Sequence, residues 1–171
     1  MIGIITAVTI ERDAVLEKLK EIKATTVYDL KFYQGLIRHT PCIIVMSGIG
    51  KVNAARCTQL MIDRFGPSKI VNIGSAGALH PDIKIGDVVI STACVQHDVD
   101  LTVFGIKKGA FAKQEGGFVE ADPGFAELCE AAIKTLPAPS LPAINLTTLR
   151  KRKLSYMKSL ALTATRWKER P

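Results

Sequence analysis

The chain opens on IGIITAV (residues 2–8), an uninterrupted run of apolar and β-branched residues with the profile of a buried strand. The period then changes. In ERDAVLEKLKEI (11–22), Val15, Leu16, Leu19 and Ile22 recur at helical spacing with charges between them, which predicts an amphipathic helix. YDLKFYQGLIRHTPCIIVMSG (28–48) reads as strand, turn, strand, with alternation around Phe32 followed by the apolar CIIVM of 42–46. KVNAARCTQLMIDRF (51–65) predicts a second helix and KIVNIG (69–74) a buried strand. IGDVVIST (85–92) predicts another strand, and PGFAELCEAAIKTL (123–136) another helix. Strands alternating with helices predict a layered α/β fold with a largely parallel sheet. LPAPSLPA (136–143) then interrupts the regular texture with three prolines.

Charge separates the end of the chain from its body. Residues 141–171 hold eight Lys or Arg and a single acid, Glu169, whereas residues 1–140 hold fifteen of each sign, so the net charge of +7 sits in the tail. Any hint of an acidic partner therefore belongs to the tail alone. At 171 residues, 47% of them hydrophobic, the chain is expected to form one domain with a sizeable core. No apolar run reaches membrane-spanning length, and MIGIITAV lacks the charged start and cleavage pattern of a signal peptide. Cys42, Cys57, Cys94 and Cys129 show no C-x-x-C spacing and lie in apolar surroundings. They read as free buried thiols of a reducing cytoplasm, against a disulfide scaffold or a zinc site.

Three loops follow apolar strands, and in such folds ligands collect at the carboxyl ends of strands. AVTIE delivers Glu11 to the start of a helix, where a carboxylate is equally explained by the helix dipole. SGIGKVNAA (47–55) places two glycines one residue apart before a helix. That leaves backbone N–H groups open to an anion or hydroxyl, although a tight turn explains the glycines equally well. The pattern is neither a P-loop nor a full G-x-G-x-x-G. NIGSAGAL (72–79) is again a strand running into small residues, and Ser75 is either a packed turn hydroxyl or a ligand contact.

Taken in order, IGIITAVTIE, SGIGKVNAA, NIGSAGALHPDIKIGDVVIS and HDVDLTVFG resemble the bacterial 5′-methylthioadenosine/S-adenosylhomocysteine nucleosidases of the nucleoside phosphorylase superfamily, over residues 1 to about 135. The resemblance implies a three-layer α/β/α fold around a central mixed sheet, incomplete here at the C-terminus. It implies a cytoplasmic homodimer acting on a small-molecule nucleoside, with no cofactor, no metal, no specific nucleic acid and no membrane partner. The implied reaction is hydrolysis of the adenine–ribose bond through a transition state with oxocarbenium character, as in glycoside hydrolysis. A carboxylate must take a proton from the attacking water, and Glu11 occupies that position. Ser75, Ala76 and Gly77 match the strip beside the ribose, and Ile49 and Gly50 the loop flanking water and sugar. Leu101 and Phe104 match the segment that walls the 5′-alkylthio pocket of the neighbouring subunit. Ala112 stands where many members have Pro, and His97 reads as scaffolding for the interface loop. The rival within the superfamily is a phosphorylase, whose phosphate pocket needs fixed positive charge. Bacterial purine nucleoside phosphorylases carry an Arg where this chain has Asn72, and Arg12 is not at a family phosphate position. Hydrolysis is the expectation, with a phosphorylase or a non-enzymatic nucleoside-binding protein as alternatives.

The family's second half supplies an adenine loop, a Glu for the ribose hydroxyls and an Asp that protonates the leaving base, and none is visible after Leu136. Residues 1–140 are thus expected to be the first part of a nucleosidase domain and 141–171 a basic tail outside the family fold. With suitable synonymous codons, the next reading frame of 142–162 spells GDQFNDAEKKEAILYEEFGA, and that of 166–171 spells MEGAA. Met157-Lys158 and Trp167-Lys168 each force a Glu in that frame, whatever the codons. The tail is therefore read as a frameshift near 136–142, ahead of a shortened homologue. An arm for nucleic acid built on Arg150-Lys151-Arg152-Lys153, or a membrane-surface helix in LSYMKSLAL, ranks below both. The 171-residue chain alone is expected to show negligible nucleosidase activity.

Overall fold

The computed structural model describes residues 1–77, 83, 85–110 and 118–134. Met1–Gly74 is one compact unit, and the described residues from Ser75 onward belong to a second. The first unit runs β1 (Ile2–Thr6), α1 (Thr9–Leu16), β2 (Lys20–Val27), β3 (Leu30–Ile37), β4 (Thr40–Met46), α2 (Lys51–Phe65) and β5 (Lys69–Asn72). Its five strands form one sheet in the order β2-β3-β4-β1-β5. β1 is parallel to both neighbours, with Ile4 opposite Ile44 and Val71. β2, β3 and β4 are antiparallel in succession. The sheet is therefore mixed, as the resemblance implies, rather than largely parallel. The difference follows from two two-residue turns, Tyr28-Asp29 and Arg38-His39, which can join only antiparallel strands.

Alternation along β1 and β4 sorts the core onto two faces. Ile5, Ile43 and Val45 pack with Phe32, Cys57 and Met61 on the α2 side. Ile4, Cys42 and Ile44 pack with Val15 and Leu19 on the α1 side. α1 and α2 thus cover opposite faces, giving the three layers expected. β1 and β4 are covered on both faces, which is why their sequences read as continuous apolar runs.

α1 is shorter than its periodicity predicts. It stops at Leu16, and two tight backbone bonds, Lys18 to Val15 (3.1 Å) and Leu19 to Leu16 (3.0 Å), turn the chain so that Leu19 still packs on the helix side. Ile22 instead lies on the edge strand β2, 51% exposed. The β-branched run that continues through Thr25, Thr26 and Val27 favours a strand. An irregularity between Lys20 and Lys23, with Glu21 at φ 55°, lets the chain enter it.

In the second unit β6 (Ala93–Val95) pairs antiparallel with β7 (Phe118–Glu120), and α3 spans Pro123–Lys134. The strand predicted over 85–92 is not found there; the paired strand is 93–95, directly after the predicted range, where β7 lies opposite. α3 starts with an Asp122 cap, its Oδ1 accepting from the Phe125 N–H at 2.6 Å, and Pro123 fills the first helical position, where no N–H is needed. The end of this helix predicted at 135–136, and the whole tail of 141–171, fall outside the described residues. All four cysteines are free. Cys42 and Cys57 are buried as expected, but Cys94 is exposed and Cys129 half-buried, because β6 and α3 turn those positions outward.

Candidate active site

β1, β4 and β5 run in the same direction, so the segments that follow them leave from one end of the sheet. After β1 the chain enters α1 on one face, and after β4 it enters α2 on the other. This divergence opens the crevice in which doubly wound sheets bind ligands. Two buried hydroxyls pin the strand ends beneath it. The Ser47 N–H bonds the Thr6 carbonyl at 2.8 Å, the Ser47 hydroxyl reaches the Thr6 and Gly48 carbonyls at 3.2 and 2.9 Å, and the Thr6 hydroxyl reaches Val45 O at 3.4 Å.

Glu11 stands in the first turn of α1. Its Oε2 accepts from the backbone N–H groups of Ala7 (2.9 Å) and Val8 (3.1 Å). Val8 is the N-cap and has no side-chain acceptor, so Glu11 caps the helix by reaching back. The dipole reading of this acid is thus correct as far as it goes. The other side of the carboxylate shows more. β5 continues past Asn72 with the Ile73 N–H on the Ile5 carbonyl at 2.9 Å, which carries Gly74 to the start of α1. A Cβ on Gly74 would come 2.8 Å from Glu11 Oε1, so the backbone there approaches closely enough that any side chain would intrude.

The loop between β4 and α2 is built on Gly48 at φ 82° and Gly50 at φ 102°, conformations that L side chains rarely adopt. Ile49 between them is 53% exposed. Gly50 caps α2 with no side chain of its own, and Asn53 Nδ2 bonds the Ile49 carbonyl at 2.8 Å. The geometry therefore gathers Glu11, Ile49, Gly50 and Gly74 at one end of one sheet. Arg12, next to Glu11, turns to Asp13, with Nε and Nη2 on Oδ1 at 2.8 and 2.7 Å.

Ser75, Ala76 and Gly77 continue the chain from Gly74, half-buried, and belong with Leu101 and Phe104 to the second unit. There Leu101 begins a 3₁₀ turn, Thr102–Phe104. Asp100 fixes that turn through the Thr102 N–H (3.1 Å) and hydroxyl (2.7 Å). Those bonds from Thr102, with Lys108 Nζ at 3.5 Å, hold the Asp100 carboxyl below its ordinary range. The turn presents Val103 and Phe104 outward, 83% and 75% exposed. His97 lies in the turn directly after β6, and Ala112 falls outside the described residues. Sequence reasoning did not single out Gly74 or Asn53, although both stand inside the quoted loops. Their roles depend on what faces them, and composition does not show that.

Comparison with known proteins agrees with this architecture. The phosphorylase superfamily matches over residues 1–150. A 5′-methylthioadenosine/S-adenosylhomocysteine nucleosidase of an Exiguobacterium species is 40% identical over 136 residues, covering 80% of this chain and 58% of the relative. The nucleosidase of Neisseria meningitidis, solved with methylthio-immucillin-A, superposes with a TM-score of 0.77 at 33% identity, over 80% of this chain and 59% of that one. The futalosine hydrolase of Helicobacter pylori superposes with a TM-score of 0.73 at 30% identity, over 78% and 57%. The chain thus spans somewhat under three-fifths of the length of the curated relatives first matched. With the mixed sheet and the two covering helices in place, the chain belongs to the phosphorylase superfamily, and within it is homologous to the methylthioadenosine/adenosylhomocysteine nucleosidases.

Proposed function

We propose that the frame-restored protein hydrolyses the N-glycosidic bond of 5′-methylthioadenosine and S-adenosylhomocysteine, releasing adenine, with Glu11 as the base, and that the 171-residue chain by itself has negligible activity. The observation that carries this reading is the Glu11 carboxylate, held by two backbone N–H groups and backed by Gly74 at the crevice where the strand ends meet. In the step, water attacks the anomeric carbon and gives its proton to Glu11. The carbon–nitrogen bond breaks, its electron pair leaves with adenine, and adenine takes up a proton from the Asp that the family's second half supplies in the restored frame. Carboxylate activation of water of this kind is worth about a hundred- to ten-thousandfold in rate. Ile49 and Gly50 flank water and sugar, and Ser75, Ala76 and Gly77 lie along the ribose. Leu101 and Phe104 wall the alkylthio pocket of a second subunit, which is consistent with the outward-facing Phe104.

A phosphorylase would need cationic side chains for phosphate. Asn72 supplies none, and the Arg12 guanidinium is engaged by Asp13. The homodimer and the cytoplasmic location belong to the same reading. No helix among the described residues is long and apolar enough to cross a membrane. Residues 141–171 are read as the out-of-frame form of the family's second half. Sequencing the encoding DNA around codons 136–142 in all three frames tests that directly.

The functional test uses the frame-restored polypeptide with methylthioadenosine, adenosylhomocysteine and futalosine, with and without phosphate. Adenine release from the first two without phosphate is expected. Phosphate-dependent formation of a ribose 1-phosphate would move the protein to the phosphorylases. Cleavage of futalosine alone would move it to the hydrolases of that nucleoside, and saturable binding without turnover would make it a binding protein.

A further inference from the structure

We infer that Asn53 is a positioning residue, one that fixes the Ile49–Gly50 peptide and so sets the direction of the Gly50 N–H at the crevice. The inference deepens the proposed nucleosidase function and rests on it for its consequence in turnover.

Asn53 is the third residue of α2, which begins at Lys51 after the Gly50 cap. At that place an acid serves a helix best, because it can accept from the N-cap N–H and it complements the dipole. Here the side chain does the opposite and donates. Its contact at 2.8 Å is a carbonyl oxygen, which can only accept, so the NH₂ end must face it. That carbonyl belongs to Ile49, one residue before the cap, where the helix itself offers no partner: the Gly50 carbonyl already takes the first helical bond, from the Ala54 N–H at 3.0 Å. The peptide unit is planar and trans, so the Ile49 carbonyl and the Gly50 N–H point in opposite directions. Holding the carbonyl toward α2 turns the Gly50 N–H away from it. Glycines on both sides of Ile49, at φ 82° and 102°, give this peptide unusual freedom to rotate, and the Asn53 amide is the bond that removes it. Gly48 packs against the same amide, at 3.5 Å from a Cβ built on it to Asn53 Nδ2.

Asn53→Asp separates loop from helix. It keeps the shape and improves the helix start, but it replaces the donor with an acceptor that repels the Ile49 carbonyl. In the frame-restored polypeptide, Asn53→Asp and Asn53→Ala are expected to lower kcat about tenfold, the scale of one lost hydrogen bond. The melting temperature of Asn53→Asp should match or exceed that of the parent, and Asn53→Gln should recover part of the rate by restoring a donor. A kcat within twofold of the parent for Asn53→Asp, or a loss that only follows the melting temperature, would overturn the inference. A second measurement stands apart from activity. In the 171-residue chain, Asn53→Asp should shift the Gly50 amide resonance and speed its hydrogen exchange. An unchanged Gly50 amide overturns the positioning role. If the unsubstituted frame-restored polypeptide releases no adenine, the functional proposal fails, and this amide measurement still decides the role of Asn53.

Discussion

Gly74→Ala is the perturbation the geometry defines best. Gly74 is not in the left-handed region, so alanine is conformationally allowed, and by chain entropy alone the change would stabilise the protein by about 0.4–1 kcal/mol. The three atoms nearest to the added Cβ all belong to Glu11: Oε1 at 2.8 Å, Cδ at 3.1 Å and Oε2 at 3.2 Å. The methyl group therefore meets the carboxylate first and must push it aside. That strains or breaks the bonds from Ala7 and Val8 at 2.9 and 3.1 Å. Overpacking of this kind costs about 1–3 kcal/mol, enough to reverse the entropic gain. A double-mutant cycle isolates the cause. Chemical denaturation of the parent chain, Gly74→Ala, Glu11→Ala and the double variant should show Gly74→Ala destabilising in the parent but neutral or stabilising once Glu11→Ala has removed the carboxylate. The coupling expected is about 2 kcal/mol, within the range for residues in contact. Equal cost in both backgrounds would refute the reasoning, because the methyl group would then be meeting something other than the carboxylate.

In the frame-restored polypeptide, Glu11→Gln keeps the size and removes the base, so turnover should fall at least about a hundredfold while a substrate analogue still binds; near-normal turnover would return Glu11 to a helix-capping role only. Gly35→Ala should destabilise the 171-residue chain by at least about 2 kcal/mol in urea unfolding, since the new Cβ would collide with the Lys20 backbone carbonyl and lie 2.8 Å from Leu19 Cγ; a loss under about 0.5 kcal/mol, the ordinary surface range, would contradict that packing. Burial pushes the Cys57 thiol from 9.0 up to about 11. The folded state therefore holds this proton more tightly than the unfolded one, and the contribution is complete below pH 9 and lost as pH rises toward 11. Unfolding midpoints measured across that window should fall more steeply for the parent than for Cys57→Ala, and identical slopes would show that the thiol titrates alike in both states.

Elements with a local cause can be read from the chain's own pattern. α2 was legible to the residue because helical spacing brings Cys57 and Met61 onto one face and glycines bound it at positions 50 and 66. β1 and β4 were legible because continuous apolar runs suit strands covered on both sides. The strand-end loops also stood out in order, and they carried the family likeness. Ile22 shows where this kind of reading stops. Its spacing from Leu19 fits a helix, yet the chain had already turned into β2, and a period cannot reveal where a helix ends when the residue after it could serve either form. The placing of α1 and α2 on opposite faces and the approach of Gly74 to Glu11 depend on tertiary structure. Ile5 faces Asn72 in the β1–β5 ladder, and that register carries Gly74, two residues on, to the start of α1. A slip of one residue would leave every local pattern intact and remove the contact. Local periodicity depends on neighbours along the chain, whereas the contact between residues 11 and 74 exists only once two distant strands have chosen their register.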